Sequence, residues 1–183
     1  MAELLQEKCA QTECDEASVR RICFVCTGNT CRSPMAEAVA NAQLHKRKNE
    51  ALQGLSPEVR DMIAPSTEAF SRGLYAHENE PISCGAQRAL ERAGVQPILS
   101  HDYRKHTAHT LSEQDVASFD LLIGMTPAHA MELLMRFPQA ADRITCMPQQ
   151  IADPYGGDDA VYSECLEQIV KGVTQMLGSE KDL

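Results

Sequence analysis

The sequence predicts an α/β domain in which a parallel sheet is covered by helices on both faces. Apolar, strand-like runs alternate along the chain with segments of helical periodicity, which is the order found in parallel sheets. The chain has 183 residues, which is enough to bury one core. We therefore expect one domain over residues 20–183, preceded by an N-terminal extension over residues 1–19.

The first unit is predicted to be a strand, a tight loop and a helix. Residues 20–26, RRICFVC, form a short apolar run with β-branched and aromatic side chains, which is typical of a buried strand. Ser33 fits a helix N-cap and Pro34 the first helical position, and the apolar residues that follow recur at helical spacing. We interpret residues 46–66, which mix charges with Gly and Pro, as a helix extension and a surface insertion.

The rest of the chain repeats the alternation. Further strands are predicted at residues 68–73, 119–125 and 143–147. Further helices are predicted at residues 83–93, 127–137 and 160–177. Gly94 and Gly178 supply C-terminal stop signals, and Thr126 supplies an N-cap.

Composition narrows the function classes. The chain carries 17 Lys and Arg against 26 Asp and Glu, a formal net charge of −9, which argues against nucleic acid or an anionic membrane as the main partner. It contains no run of 18 apolar residues, and its N-terminus lacks the basic-then-apolar pattern of a secretion signal. We therefore expect a cytoplasmic protein. The sequence gives no indication of the oligomeric state.

The eight cysteines do not predict a metal site. Their positions do not provide the two appropriately spaced pairs of a zinc finger, and a chain of this length folds without disulfides. We interpret most of them as small buried apolar residues and expect neither a metal nor a cofactor.

The loop after the first strand carries the chemistry. It runs from Cys26 through Thr27, Gly28, Asn29, Thr30, Cys31 and Arg32 to Ser33. Gly and Asn tolerate positive φ, so the loop can direct successive backbone N–H groups toward an anion. The positive end of the following helix and the guanidinium of Arg32 also favour an anion there.

Cys26 stands at the entrance of this loop, and its surroundings favour a thiolate. A thiolate beneath a bound phosphoryl group is a nucleophile for phosphorus. Asp153 lies in a second loop, DPYGG, whose glycines give it freedom to approach a pocket. Its carboxyl group suits a general acid that protonates a leaving group and then activates water. Tyr155 is a candidate aromatic wall of the same cleft.

The segment CTGNTCRSPMAEA resembles the phosphate-binding loop of low molecular weight protein tyrosine phosphatases. DPYGGDDAVY resembles the general-acid segment of that family, and FSRG, HDYRK and FDLLIGM occur in the family's order and spacing. The resemblance covers residues 20–178 apart from residues 46–66. It implies a four-stranded parallel sheet in a flavodoxin-like three-layer sandwich, and phosphorylated proteins as substrates.

Thr30 points to one branch of the family. Tyrosine-specific members usually carry an aliphatic residue there, whereas the branch that acts on phosphoarginine in proteins carries threonine. The hydroxyl of Thr30 can hydrogen-bond a guanidinium or the hydrolytic water. The leading interpretation is therefore a protein-arginine phosphatase with Cys26, Arg32 and Asp153 as catalytic residues and with Thr30 and Tyr155 as specificity residues.

The resemblance also implies supporting roles. Ser33 is expected to hydrogen-bond the sulfur of Cys26, while Asn29, His101 and Ser71 are candidates to brace the loop. Cys31 is a candidate partner for a reversible disulfide with the nucleophile.

Three other functions stay open. A tyrosine phosphatase would use the same mechanism. A thiol-dependent arsenate reductase is less favoured because Cys84, Cys146 and Cys165 are widely separated in the sequence. A non-catalytic phosphoprotein-binding module would retain Arg32 but would need neither Cys26 nor Asp153.

Overall fold

The computed structural model describes residues 19–178, so most of the predicted extension over residues 1–19, with Cys9 and Cys14, lies outside the described residues. The strands are β1 (Arg20–Cys26), β2 (Thr67–Gly73), β3 (Leu121–Gly124) and β4 (Ile144–Cys146). The helices are α1 (Arg32–Ala51), α2 (Pro57–Met62), α3 (Cys84–Arg92), α4 (Glu113–Ser118), α5 (Pro127–Arg136) and α6 (Asp159–Gly178). Short 3₁₀ helices span Tyr103–Lys105 and Pro138–Arg143.

The four strands form one parallel sheet in the order β2-β1-β3-β4. The predicted α/β class and the four strands are confirmed. Because β1 has β2 on one side and β3 on the other, the chain leaves β1 at the point where the strand order reverses. In open α/β sheets the crevice at this switch point binds ligands.

Alternate residues of β1 enter separate cores on the two faces of the sheet. Ile22, Phe24 and Cys26 pack in the core that receives α1, α3 and α6. Cys23 and Val25 pack in the second core, beneath α4 and α5. Cys23 and Cys26 therefore have the spacing of a C-x-x-C pair but lie on opposite faces, as the period of two in a strand requires.

The predicted element boundaries lie within two residues of the observed ones. Ser83 and Thr126 cap α3 and α5 with their side chains, and Gly94 has a φ of +69° after α3. Ser33 as an N-cap is wrong, because α1 already begins at Arg32 and the Ser33 hydroxyl is bonded to the phosphate loop instead.

Residues 46–66 extend α1 to Ala51 and then form α2, which Ser56 caps. The sequence analysis missed α2 and α4. For α4 a signal was present, since Ser112 and Asp115 form a reciprocal capping box.

Candidate active site

The phosphate loop, residues 26–32, joins the end of β1 to the start of α1. Cys26 is the last residue of β1 and is buried. Its Sγ lies 3.0 Å from Oγ of Ser33, and the backbone N–H of Asn29 donates to the same sulfur at 3.3 Å. These two contacts hold the sulfur atom within the loop.

Asn29 is the centre of the loop's internal bonding. It is fully buried and adopts the left-handed conformation, with a φ of +57°. Its Nδ2 donates to Oγ of Ser33 at 3.0 Å and to Oγ of Ser71 at 2.9 Å, while its Oδ1 accepts from the backbone N–H of His109 at 2.9 Å. Asparagine suits this position because it tolerates positive φ and satisfies three polar groups at once.

His106, rather than the predicted His101, contacts the loop backbone directly. His106 makes the direct contact, with its Nε2 donating to the carbonyl oxygen of Asn29 at 2.8 Å. Burial lowers the pKa of His106, which favours the neutral ring. His101 connects to Asn29 through two residues: its Nδ1 lies 3.4 Å from Glu37, whose other carboxylate oxygen accepts from Ser71 at 2.6 Å, and Ser71 in turn is bonded to Asn29.

The end of β2 packs tightly against the phosphate loop. The backbone N–H groups of Leu74 and Tyr75 donate to the carbonyl oxygens of Cys26 and Thr27 at 2.8 and 2.9 Å. A Cβ atom on Gly73 would lie 2.8 Å from the Thr27 carbonyl oxygen. Only glycine allows this approach without a shift of backbone.

Arg32 and Asp153, predicted from distant parts of the chain, meet in an ion pair. Nη2 of Arg32 donates to Oδ2 of Asp153 at 2.6 Å. The arginine side chain is buried, whereas the aspartate is about half exposed. A guanidinium has five N–H donors, so this contact leaves others for a bound oxyanion.

The loop opens into a cleft of about 360 Å³. Its lining includes eight residues predicted from the sequence, namely Cys26, Thr27, Gly28, Thr30, Cys31, Arg32, Asp153 and Tyr155. Tyr75, His77 and Glu80 complete the lining, and the sequence did not predict these three. These residues lie in an irregular segment between β2 and α3 that carries no periodic signal.

Two further side chains fix the ends of the loop. His129, buried at the start of α5, places Nε2 3.0 Å from Oγ1 of Thr27 and Nδ1 2.7 Å from Oγ1 of Thr126. Burial and the nearby Arg32 charge lower the pKa of His129. Sγ of Cys31 lies 3.4 Å from the hydroxyl of Tyr162, whose pKa is raised to about 12, chiefly by burial.

The resemblance to a phosphatase can be tested against known proteins. A sequence model of the family described as low molecular weight phosphotyrosine protein phosphatase matches residues 21–183. The chain belongs to this family. It is therefore a protein phosphatase, as the sequence analysis predicted.

The proteins similar to this phosphatase include one named as a protein-arginine phosphatase and one named as a protein-tyrosine phosphatase. A protein-arginine-phosphatase from Geobacillus stearothermophilus is 30% identical over 172 residues, covering 88% of this chain and 98% of the relative. The low molecular weight protein-tyrosine-phosphatase PtpB of Staphylococcus haemolyticus is 32% identical over 157 residues, covering 82% and 92%.

A solved structure adds chemical information. A mutant of the arginine phosphatase YwlE, with its active-site cysteine replaced by a phosphorylated serine, aligns with a TM-score of 0.69 at 26% identity, covering 88% of this chain and 96% of that one. The phosphate in that structure is carried by the active-site serine that replaces the cysteine. Family membership supports hydrolysis of phosphorylated proteins, while the substrate branch and the individual residue roles stay predictions.

Residues 19–178 contain neither a cluster of metal-ligating side chains nor a helix able to span a membrane. Across residues 19–178, no three His, Cys, Asp or Glu side chains are grouped to hold a metal ion. No helix in the described part of the chain has the length and apolar character needed to cross a membrane.

Proposed function

We propose that this family member hydrolyses phosphoarginine in proteins and that it works in the cytoplasm. The observation that carries the proposal is Thr30, which lines the cleft together with Asp153 and the nucleophile. Threonine at this loop position matches the phosphoarginine branch, and the G. stearothermophilus relative bears the name of that branch. Its hydroxyl can accept a hydrogen bond from a substrate guanidinium, which an aliphatic residue would leave unpaired.

In the first step, Sγ of Cys26 attacks phosphorus as a thiolate. The S–P bond forms while the P–N bond of phosphoarginine breaks, and Asp153 donates a proton to the leaving nitrogen. Arg32 and the loop amides stabilise the charge on the phosphoryl oxygens. The products of this step are arginine and a phosphocysteine.

In the second step, the carboxylate of Asp153 takes a proton from water as the water oxygen attacks phosphorus. The S–P bond breaks, inorganic phosphate forms and the thiolate returns. Ser33, whose Oγ lies 3.0 Å from the sulfur, donates a hydrogen bond that stabilises the departing thiolate.

The arsenate-reductase alternative lacks support from the cysteines in the described part of the chain. Cys84 begins α3, Cys146 ends β4 and Cys165 lies within α6. Burial raises the pKa of Cys165 to about 12, so this thiol is a poor member of a disulfide relay.

The decisive experiment compares turnover of phosphoarginine and phosphotyrosine by wild type, Thr30→Ile and Thr30→Val. Valine keeps the β-branched shape and removes only the hydroxyl, so it is the matched control. We expect wild type to prefer phosphoarginine and both variants to lose about tenfold or more of that preference, the value of one charge-assisted hydrogen bond. A wild-type preference for phosphotyrosine would refute the proposal and favour the tyrosine phosphatase.

A second measurement distinguishes a phosphatase from a non-catalytic phosphoprotein-binding module. Cys26→Ser should abolish hydrolysis while the protein still binds inorganic phosphate. If the variant supports full function in cells, the protein acts by binding and the catalytic proposal is wrong.

A further inference from the structure

Glu80 occupies a fixed place in the lining of the cleft that also contains Asp153. Its backbone N–H donates to the carbonyl oxygen of His77 at 3.2 Å, and its carbonyl oxygen accepts from the N–H of Ala108 at 2.8 Å. The next residue, Pro81, pairs with Thr107 in an antiparallel bridge. The same 107–109 segment donates to Asn29, so this wall is anchored to the phosphate loop.

The carboxylate of Glu80 differs from its neighbours in having no charged partner. Within residues 19–178 it makes neither an ion pair nor a hydrogen bond, and its side chain is exposed at the mouth of the cleft. Glu78 is bonded to His109 Nδ1 at 2.9 Å and to the N–H of Thr110 at 2.7 Å. Asp153 is bonded to Arg32.

An unpaired carboxylate beside a phosphate site is unfavourable for most phosphoryl substrates. It repels the phosphate dianion, and phosphotyrosine carries no positive group to offset this repulsion. Phosphoarginine carries a guanidinium next to its phosphate, so a nearby carboxylate attracts one part of that substrate. The cleft already contains one guanidinium–carboxylate contact, from Arg32 to Asp153 at 2.6 Å.

We propose that Glu80 is a specificity-determining residue, whose carboxylate accepts a hydrogen bond from the substrate guanidinium within the cleft and disfavours phosphate esters without a positive charge. This inference rests on the proposed phosphoarginine activity. Glu80 then adds to the discrimination between phosphoarginine and phosphotyrosine that is proposed for Thr30, which lines the same cleft.

The test measures kcat/KM for phosphoarginine and phosphotyrosine with wild type, Glu80→Gln and Glu80→Asp. The assays run at pH 8, where exposed imidazoles are in general neutral. At low ionic strength, Glu80→Gln should lower kcat/KM for phosphoarginine about threefold and raise that for phosphotyrosine about threefold, as expected for an exposed charge. Glu80→Asp should retain most of the wild-type preference.

Salt separates a charge effect from a structural one. Near 1 M salt the Debye length falls to about 3 Å, so the difference between Glu80→Gln and wild type should almost disappear. The matched control is Glu167→Gln, which removes the same charge from an exposed position on α6, outside the cleft, and should change neither substrate.

The outcomes distinguish this inference from the function on which it rests. Wild-type preference for phosphotyrosine would refute the phosphoarginine activity whatever Glu80 does. If wild type prefers phosphoarginine and Glu80→Gln leaves the ratio unchanged, or changes it equally at low and high salt, only the role of Glu80 is wrong.

Discussion

Replacing Asn29 with alanine should destabilise the protein more than any other single change in the phosphate loop. The substitution removes the three side-chain hydrogen bonds to Ser33, Ser71 and the backbone of His109, all in a fully buried environment. Each contributes about 1 kcal/mol net, giving about 3 kcal/mol. Alanine at a φ of +57° adds about 1 kcal/mol of backbone strain.

The expected total is a loss of about 4 kcal/mol in the free energy of unfolding, or about 10 °C in Tm for a chain of this length. Asn29→Gly is the matched control, because glycine tolerates the left-handed conformation and loses only the hydrogen bonds. It should lose about 3 kcal/mol by the same accounting.

The assay is thermal and urea unfolding of wild type and both variants, together with phosphatase turnover. Turnover should fall in both variants, because the loop that positions Cys26 loses its internal bonds even though the N–H of residue 29 remains. A loss below about 1 kcal/mol in Asn29→Ala would refute the assigned network, since one hydrogen bond alone is worth that much. Equal losses in the two variants would refute the strain at this position.

Three further predictions concern packing, pH and oxidation. Gly73→Ala should lower kcat/KM by about 100-fold, because its Cβ would lie 2.8 Å from the Thr27 carbonyl oxygen and displace the loop, and steady-state kinetics measures this. Burial lowers the pKa of His106, so the contribution of this residue to stability should be full above about pH 6.5 and should fall as the pH drops toward that pKa. Urea unfolding at pH 7.5 and 5.5 should therefore show a smaller loss of stability for His106→Gln than for wild type. Peroxide should inactivate the enzyme in a way that a dithiol reverses, and Cys31→Ala should make recovery of activity poorer.

Each of these predictions has a control. Gly54→Ala places a methyl group where nothing lies within 4 Å, so its kinetics should match wild type. Equal stability losses in wild type and His106→Gln between pH 7.5 and 5.5 would contradict the assignment of that slope to His106. Recovery from peroxide that is the same in wild type, Cys31→Ala and Cys84→Ala would remove the protective role of Cys31.

The site residues that could be predicted from the sequence either lie close together in the chain or belong to a recognisable motif. β1 and the phosphate loop are contiguous, so the apolar run and the Gly-Asn turn locate Cys26 and Arg32 together. Asp153 was found through its turn residues and through resemblance. The structure places it 2.6 Å from Arg32, a contact across more than 100 residues of chain.

The parts that were missed depend on tertiary contacts of irregular segments. Residues 101–112 contain His101, His106 and His109, and the sequence alone does not determine which of them faces Asn29. His106 makes the direct bond, whereas the predicted His101 reaches Asn29 only through Glu37 and Ser71. Ser33 was predicted both as a helix cap and as a partner of the Cys26 sulfur; only the second prediction is correct, because its hydroxyl is engaged by Cys26 and Asn29 within the loop.

The contact between Arg32 and Asp153 has a consequence for the whole catalytic cycle. An anion that enters the loop competes with the Asp153 carboxylate for the guanidinium of Arg32. Part of the attraction of Arg32 for phosphate is therefore already offset. By linkage this weakening applies to inorganic phosphate at the end of the cycle as well as to the incoming substrate. We therefore expect the Asp153 carboxylate to speed the release of inorganic phosphate and to weaken product inhibition.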